Sequence, residues 1–177
     1  MLYLPPPKNM QPINVSYYRN RAYQKKKSLA AFLKKLTKKP PVDLLKKVKA
    51  ADKEVWQEMS CIACANCCKT MTPTWKKSEI KKVATFVGMD YETYYRKYIK
   101  VDEDNGDLVN QTTPCQHLNL KTNMCSVYEV RPHDCKHFPH FIRKDFTDQT
   151  SVYTENLHRC PATLLLIEKL EKNIAAK

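Results

Sequence analysis

Four of this chain's eight cysteines stand within eight positions, Cys61-Ile62-Ala63-Cys64-Ala65-Asn66-Cys67-Cys68, and the rest follow as Cys115, Cys125, Cys135 and Cys160. No other feature constrains the fold as strongly. Core packing does not call for cysteine at that density, whereas metal ligation does. An ion or cluster needs several deprotonated thiolates within a few ångströms, and C-x2-C delivers two of them from one tight turn. The chain has 177 residues, enough to bury a core without cross-links. Cysteine makes up about 4.5% of it, below the roughly 8–10% of disulfide scaffolds. The opening Met1-Leu2-Tyr3-Leu4-Pro5-Pro6-Pro7 has no apolar h-region and does not read as a signal peptide. The best membrane candidate, Leu164-Leu165-Leu166-Ile167, is four residues long, so no membrane partner is expected. A cytoplasmic location is therefore expected. There thiols stay reduced, and clustered cysteines serve as metal ligands or redox centres rather than disulfides.

The run itself limits the site. In a helix Cys61, Cys64 and Cys68 would share a face and Cys67 would point elsewhere; in a strand Cys67 and Cys68 would point oppositely. Either way adjacent cysteines ligate one ion awkwardly, which argues for two centres or one with several metal atoms. Eight thiolates would suit two four-cysteine sites. Zinc and iron both fit. Zinc favours closed sites built from paired knuckles, of which only the first is present here. Iron–sulfur clusters accept scattered ligands, and Cys61-x2-Cys64-x2-Cys67 copies the opening of a bacterial ferredoxin run, with Cys160-Pro161 matching its end. A mononuclear iron is the third option. Any single cysteine, Cys135 for example, could instead be a small buried hydrophobe, and Cys61-x2-Cys64 a redox pair, although no βαβ context surrounds it. Four histidines, His117, His133, His137 and His158, lie two residues from a cysteine, and His140 is nearby. Each reads more readily as a surface or hydrogen-bonding residue than as a ligand, with His137 the best candidate among them.

Periodicity predicts a mainly α protein with small β-hairpins, a small, metal-stapled, cysteine-rich α+β domain. Residues 1–15 are Pro-rich and read as extended. A helix over Ser16 to Lys39 places Tyr18, Ala22, Leu29, Leu33 and Leu36 on one stripe about 60° wide, interrupted by Lys25, and Pro40-Pro41 stops it. A second helix, Asp43 to Met59, carries Leu44, Val48, Ala51, Val55 and Met59 on one face and runs into the cysteines. Ser78 is expected to cap a short helix ending at Gly88, and Asp90 another in which Tyr91, Tyr94, Tyr95 and Tyr98 share a face. Asp104-Asn105-Gly106-Asp107 predicts a hairpin between Ile99-Lys100-Val101 and Leu108-Val109. Lys121-Thr122-Asn123 predicts a second, between residues 117–120 and 125–128. Pro161 opens a last helix through Leu164, Ile167, Leu170 and Ile174. With only two glycines, neither a dinucleotide nor a P-loop motif is present.

The net charge is +13. Residues 1–60 hold 14 Lys and Arg against 4 Asp and Glu, so +10 of it belongs to the first third. This divides the chain into a basic helical extension, residues 1–56, and a cysteine-cluster domain, residues 57–177.

The cysteine run, Glu79-Ile80, Val87-Gly88, Pro114-Cys115-Gln116-His117-Leu118, Cys125-Ser126-Val127-Tyr128-Glu129-Val130-Arg131-Pro132 and Cys135-Lys136-His137-Phe138-Pro139 occur in an order that resembles the YkgJ-type cysteine cluster proteins, a zinc- or iron-chelating domain family. The likeness covers residues 57–165. It implies a small bacterial cytosolic protein that binds metal through Cys61, Cys64, Cys67, Cys68, Cys115, Cys125 and Cys135, with Cys160 as a further candidate, and with no reaction attached. A similar pattern occurs in flagellin lysine methylases. Arg131 could offset thiolate charge beside the site.

Three functions compete. The first is a metal-binding protein whose centre is structural, a carrier or an electron-transfer group. The second is a module binding nucleic acid, the ribosome or another acidic partner through residues 16–53, where Tyr17, Tyr18, Arg19, Arg21 and Tyr23 interleave aromatic and basic groups; against it stands the plain reading of two helices with solvated lysine faces. The third is a cluster-dependent oxidoreductase or protein-modifying enzyme, for which no paired catalytic carboxylates, no Ser–His–Asp order and no second cofactor motif can be found. The first reading is the one the residues favour.

Overall fold

The computed structural model describes residues 13–175. The extended opening expected over residues 1–15 lies outside these apart from its last three residues, and Val15 already belongs to a helix. The elements run α1 (Val15–Lys38), α2 (Leu44–Glu58), α3 (Cys61–Cys64), α4 (Asn66–Thr70), β1 (Thr74–Trp75), α5 (Lys77–Phe86), α6 (Tyr91–Tyr98), β2 (Ile99–Val101), β3 (Leu108–Asn110), α7 (His133–His137), α8 (Thr150–Asn156) and α9 (Pro161–Ala175). Short 3-10 turns cover Tyr128–Val130 and Phe146–Gln149. The class is mainly α with a small antiparallel sheet. Among the described residues no helix is long and apolar enough to cross a membrane.

Packing separates the described residues into two compact units. A helical unit comprises residues 13–64 and 139–175, and a sheet unit comprises Ala65–Phe138. The divisions between these units fall at Ala65 and Pro139. Charge composition marks off the first helices, but their apolar stripes are buried against the last one.

In the helical unit Asn14 caps α1, its side-chain oxygen accepting the Tyr17 N–H at 3.0 Å. Ala22, Leu29, Leu33 and Leu36 of α1 are buried, as are Leu44, Val48, Ala51 and Val55 of α2 and Met59, the residue that caps its C-terminus. Both helices pack on α9. Enclosed in this way, α9 is buried on more than the predicted stripe: Leu164, Ile167 and Leu170 are fully covered, and so is Leu166, while Ile174 is only partly buried. Lys25, the polar break in the α1 stripe, reaches Glu168 of α9 at 2.8 Å, and Arg21 reaches the same carboxylate at 2.7 Å. Periodicity did not predict α8 or the turn before it. They exist because Phe146, Tyr153 and Leu157 are buried, with the first two rings 4.6 Å apart. The Tyr153 hydroxyl donates to the His140 carbonyl at 3.0 Å.

The sheet unit carries three strands in the order β1-β3-β2, all antiparallel. The predicted hairpin joins β2 and β3, with Gly106 at φ +77° supplying the left-handed residue of the turn. The second predicted hairpin contracts to a single bridge, Leu118 to Cys125, with Asn123 left-handed at its tip. Helix α5 starts at Lys77, one residue ahead of the expected Ser78 cap. Glu79 makes the difference, because its Oε2 accepts the Lys76 N–H at 2.9 Å. The helix ends as predicted at Gly88 (φ +73°), where the Gly88 N–H reaches Thr85 and the Met89 N–H reaches Ala84, a Schellman closure. Asp90 caps α6 by accepting the Thr93 N–H at 2.9 Å. The tyrosines of α6 then face a small core of Trp75, Ile80, Val83, Ala84, Tyr94, Ile99 and Val127.

Candidate metal centre

The cysteine run is not one helix. It is two turns separated by Ala65, a buried alanine at φ +48°, a conformation that costs a non-glycine residue about 1–2 kcal/mol. The break sorts the cysteines. Cys61 and Cys64, three residues apart on the α3 turn, belong with Cys160 to the helical unit, whereas Cys67, Cys68, Cys115, Cys125 and Cys135 belong to the sheet unit. All eight are thiols rather than disulfides.

In the sheet unit five cysteines arrive from four segments. Cys67 and Cys68 lie on α4 with their sulfurs 3.9 Å apart. Cys115 follows the cis Thr113–Pro114 bond, and its N–H donates to the Cys68 carbonyl at 2.8 Å, tying that loop to α4. Cys125 sits on the bridge to Leu118. Cys135 is on α7, which two carboxylates hold in place: Glu79 Oε1 accepts the His133 N–H at 2.8 Å and Asp134 Oδ2 accepts the Thr74 N–H at 3.0 Å. Glu79 thus serves α5 and α7 at once. The sequence pattern includes Glu79, but nothing in it gives the residue this role.

These thiols act on one another. The hydrogen bond from Cys67 brings the Cys68 thiol down to about 7, helped by the charges of Lys69 and Arg131. Burial pushes Cys125 up to about 11, and the charges of Cys115 and Cys68 add to it while Arg131 opposes them. Cys115 rises through burial and then through Cys68. Cys135 is exposed by surface area, yet crowding pushes its thiol upward, first by desolvation and then by Cys68, Cys115, Asp134 and Cys125. Arg131 itself is fixed by stacking 3.7 Å over the Tyr128 ring. Coulomb coupling reaches over several ångströms, whereas thiolate ligation requires about 2.3 Å to a shared ion. Cys68, Cys115, Cys125 and Cys135 share one electrostatic neighbourhood, but among the described residues no three His, Cys, Asp or Glu side chains are already arranged to hold an ion.

The surroundings suit thiolates. The Asn110 side-chain nitrogen is buried without a hydrogen-bond acceptor, and the Asn110 amide favours the ionised form of Cys115. This donor becomes useful when the sulfur is an anion. Its oxygen is occupied, accepting from Trp75 Nε1 at 2.9 Å and from Gln116 Nε2 at 3.3 Å. No cysteine or histidine rule would single out Asn110; the only sequence signal is a polar residue inside a strand beside Val109. The candidate donors are all sulfur, with Arg131 and Lys69 as nearby cations, a chemistry that fits zinc or iron.

In the helical unit Cys160 precedes the first turn of α9, with the Leu164 N–H donating to its carbonyl at 3.2 Å. Burial pushes its thiol upward; the Thr163 hydroxyl and α9 backbone N–H groups oppose this, and the charge of Cys64 adds to it. Cys61 is exposed.

The histidines divide. The Tyr94 hydroxyl lies 2.6 Å from His117 Nε2, and Ser126 Oγ lies 3.4 Å from Nδ1. Both ring nitrogens are engaged, so His117 is a buried hydrogen-bonding residue. The His137 ring stands 4.0 Å from that of His133, and its Nδ1 meets the His133 carbonyl at 3.0 Å. His158 stacks on Tyr23, and His140 takes a left-handed φ of +60°.

The model of the CxxCxxCC family, described as "Putative zinc- or iron-chelating domain", matches residues 60–161, more than half of the chain and all eight cysteines. The chain belongs to this family. Helices α1 and α2 lie outside the CxxCxxCC match, as does α9 after its first residue. Among relatives, "Uncharacterized protein MJ0661" of Methanocaldococcus jannaschii is 29% identical over 84 residues, which is 47% of this chain and 45% of its own length. The chain thus spans less than half of that relative. No solved structure matches it.

Proposed function

We propose that this CxxCxxCC protein binds zinc or iron as thiolate complexes. In the sheet unit the ligands are Cys68, Cys115, Cys125 and Cys135, with Cys67 beside Cys68; in the helical unit they are Cys61, Cys64 and Cys160. The supporting observation is that Cys115, Cys125 and Cys135, brought in on separate segments of the sheet unit, hold their protons first through burial and then through the charge of Cys68, whose own thiol is shifted downward. Sulfurs so placed cannot all ionise against one another, and a divalent cation or cluster relieves the repulsion while drawing the segments together. Bound metal supplies cross-linking, and as a cluster it would also supply electron transfer. The chain's own residues orient the sulfurs: Glu79 and Asp134 hold α7, the Cys68 carbonyl holds the Cys115 loop, the Asn110 amide favours the Cys115 thiolate, and Lys69 and Arg131 offset the charge. A reducing compartment, the cytoplasm, keeps the thiols ready.

Metal and acid-labile sulfide are to be measured on anaerobically purified protein, together with its visible spectrum. Stoichiometric iron with sulfide, and a brown absorption bleached on reduction, identifies a cluster. Colourless protein with stoichiometric zinc identifies a structural ion. Protein with neither metal overturns the proposal. Cys125→Ser lowers the metal content if the sheet-unit assignment is right, and Cys64→Ser does so if the helical-unit assignment is right; full retention removes the corresponding ligand.

A further inference from the structure

Helix α1 holds eight basic residues and no acidic one. Its apolar stripe, Ala22, Leu29, Leu33 and Leu36, is buried in the core, so the remaining surface is cationic. The two flanks of this surface differ. On the side of Arg21 and Lys25 the Glu168 carboxylate pairs with both and offsets one of their two charges. On the other side Arg19, Tyr23, Lys26, Lys27, Lys34 and Lys38 fall within about 120° of one another. Among the described residues none of these five cations has a carboxylate at ion-pair distance. Lys34 and Lys38 stand at i and i+4, where like charges repel by a few tenths of a kcal/mol. A merely solvated face relieves that repulsion with an interspersed glutamate, and α1 has none.

An aromatic platform lies in the same sector. Tyr23 is 57% exposed, and one face of its ring stacks on His158 at 5.7 Å and 22°. His158 lies in the field of Arg159, Lys26 and Arg19, with Glu155 the one carboxylate acting against them. The outer face of a large, rigid ring is therefore presented between cations.

We propose that this flank of α1 binds single-stranded nucleic acid, with phosphates along Lys26, Lys27, Lys34 and Lys38 and a base stacked on Tyr23. Phosphate charge supplies the missing counter-charge, and a base of any sequence uses the aromatic face. An anionic bilayer fits less well, since a helix that lies on a membrane buries an apolar face in it, and the apolar face of α1 is already covered. An acidic protein surface would engage the lysines but leave the Tyr23 ring unused. The site lies outside the CxxCxxCC match, and its proposal does not depend on the metal reading.

The test uses the full chain as purified, with fluorescein-labelled oligouridylate and oligothymidylate of about 12 nucleotides, followed by fluorescence anisotropy across a salt series. Binding of either strand that weakens steeply with salt is expected, and the tighter strand tells RNA from DNA. The triple variant Lys27→Gln, Lys34→Gln, Lys38→Gln lowers the slope of log K against log salt by about 2. Tyr23→Ala weakens binding roughly tenfold at unchanged slope. Lys77→Gln with Lys81→Gln and Lys82→Gln, a charge-matched change on exposed α5 residues, leaves binding as it was. No binding at low salt overturns the proposal. So does binding indifferent to Tyr23 and to the triple variant, or polyglutamate or phosphatidylserine vesicles held more tightly than either oligonucleotide.

Discussion

The helical unit buries nineteen apolar side chains in one cluster, whereas the sheet unit buries seven. The sheet unit nonetheless holds five of the eight cysteines. A unit of its size supplies no more than about 3–5 kcal/mol from a single core unless it is stapled. The difference teaches where metal matters to folding. The helical unit closes through leucine and valine stripes, and on the proposed ligand assignment the sheet unit is where a metal would contribute most to folding.

Metal removal is the largest way to break this comparison. Thiolate–metal binding in small domains is worth on the order of 10 kcal/mol. Stripping the metal with a chelator is expected to abolish amide-exchange protection in α5, α6 and the β2–β3 hairpin while α1, α2 and α9 keep theirs. Equal loss in both units would show that the helical core also depends on the metal. The converse perturbation is Leu166→Ala. This side chain is fully buried, so its truncation costs about 2–5 kcal/mol, read as a lower thermal midpoint with protection lost first in α1, α2 and α9. Loss beginning in the sheet unit would contradict the independence of the two cores.

A pH effect sharpens the sheet-unit side. Burial holds the His117 imidazole down to about 4 from its ordinary 6.5. As pH falls the unfolded chain takes up this proton before the folded one does. The stability from neutral His117 is therefore complete above about 6.5, declines between 6.5 and about 4, and is flat below. The swing is up to about 3 kcal/mol. Urea midpoints across that window, with metal content followed in parallel, should slope less in His117→Gln than in the wild type. An unchanged slope would assign the acid sensitivity to other groups. The smallest effect belongs to the helical unit: Glu168→Gln removes the carboxylate shared by Arg21 and Lys25 and costs about 1 kcal/mol, measured by thermal unfolding. A shift as large as that of Leu166→Ala would mean that the α1–α9 contact rests on charge and not on its apolar stripe.

Much of the fold was legible because local rules carried it. The α1 and α2 stripes, the Asp90 cap, the Gly88 stop and the Asn105-Gly106 turn depend on residues within a few positions of one another. The α5 start was misread because Ser78 looks like a cap while Glu79 supplies the capping interaction. α8 left no periodic signal in seven residues, and packing of Tyr153 and Phe146 created it. At the candidate centre the cysteines were legible as residue types. Their sorting was not, since it depends on one left-handed alanine that neighbouring sequence does not announce. Asn110, Glu79 and the Tyr94–His117 pair were invisible for the same reason, because their partners lie 23 to 54 residues away.

By itself the sequence determined that this is a helical, thiol-rich protein with a basic first third, because periodicity, spacing and charge are properties of the chain taken one segment at a time. Only the tertiary structure decided which cysteines are neighbours, which flank of α1 keeps its charge unneutralised, and that the first and last helices share one core. Those outcomes are set by side chains far apart in sequence competing for the same buried space, and no local rule ranks that competition.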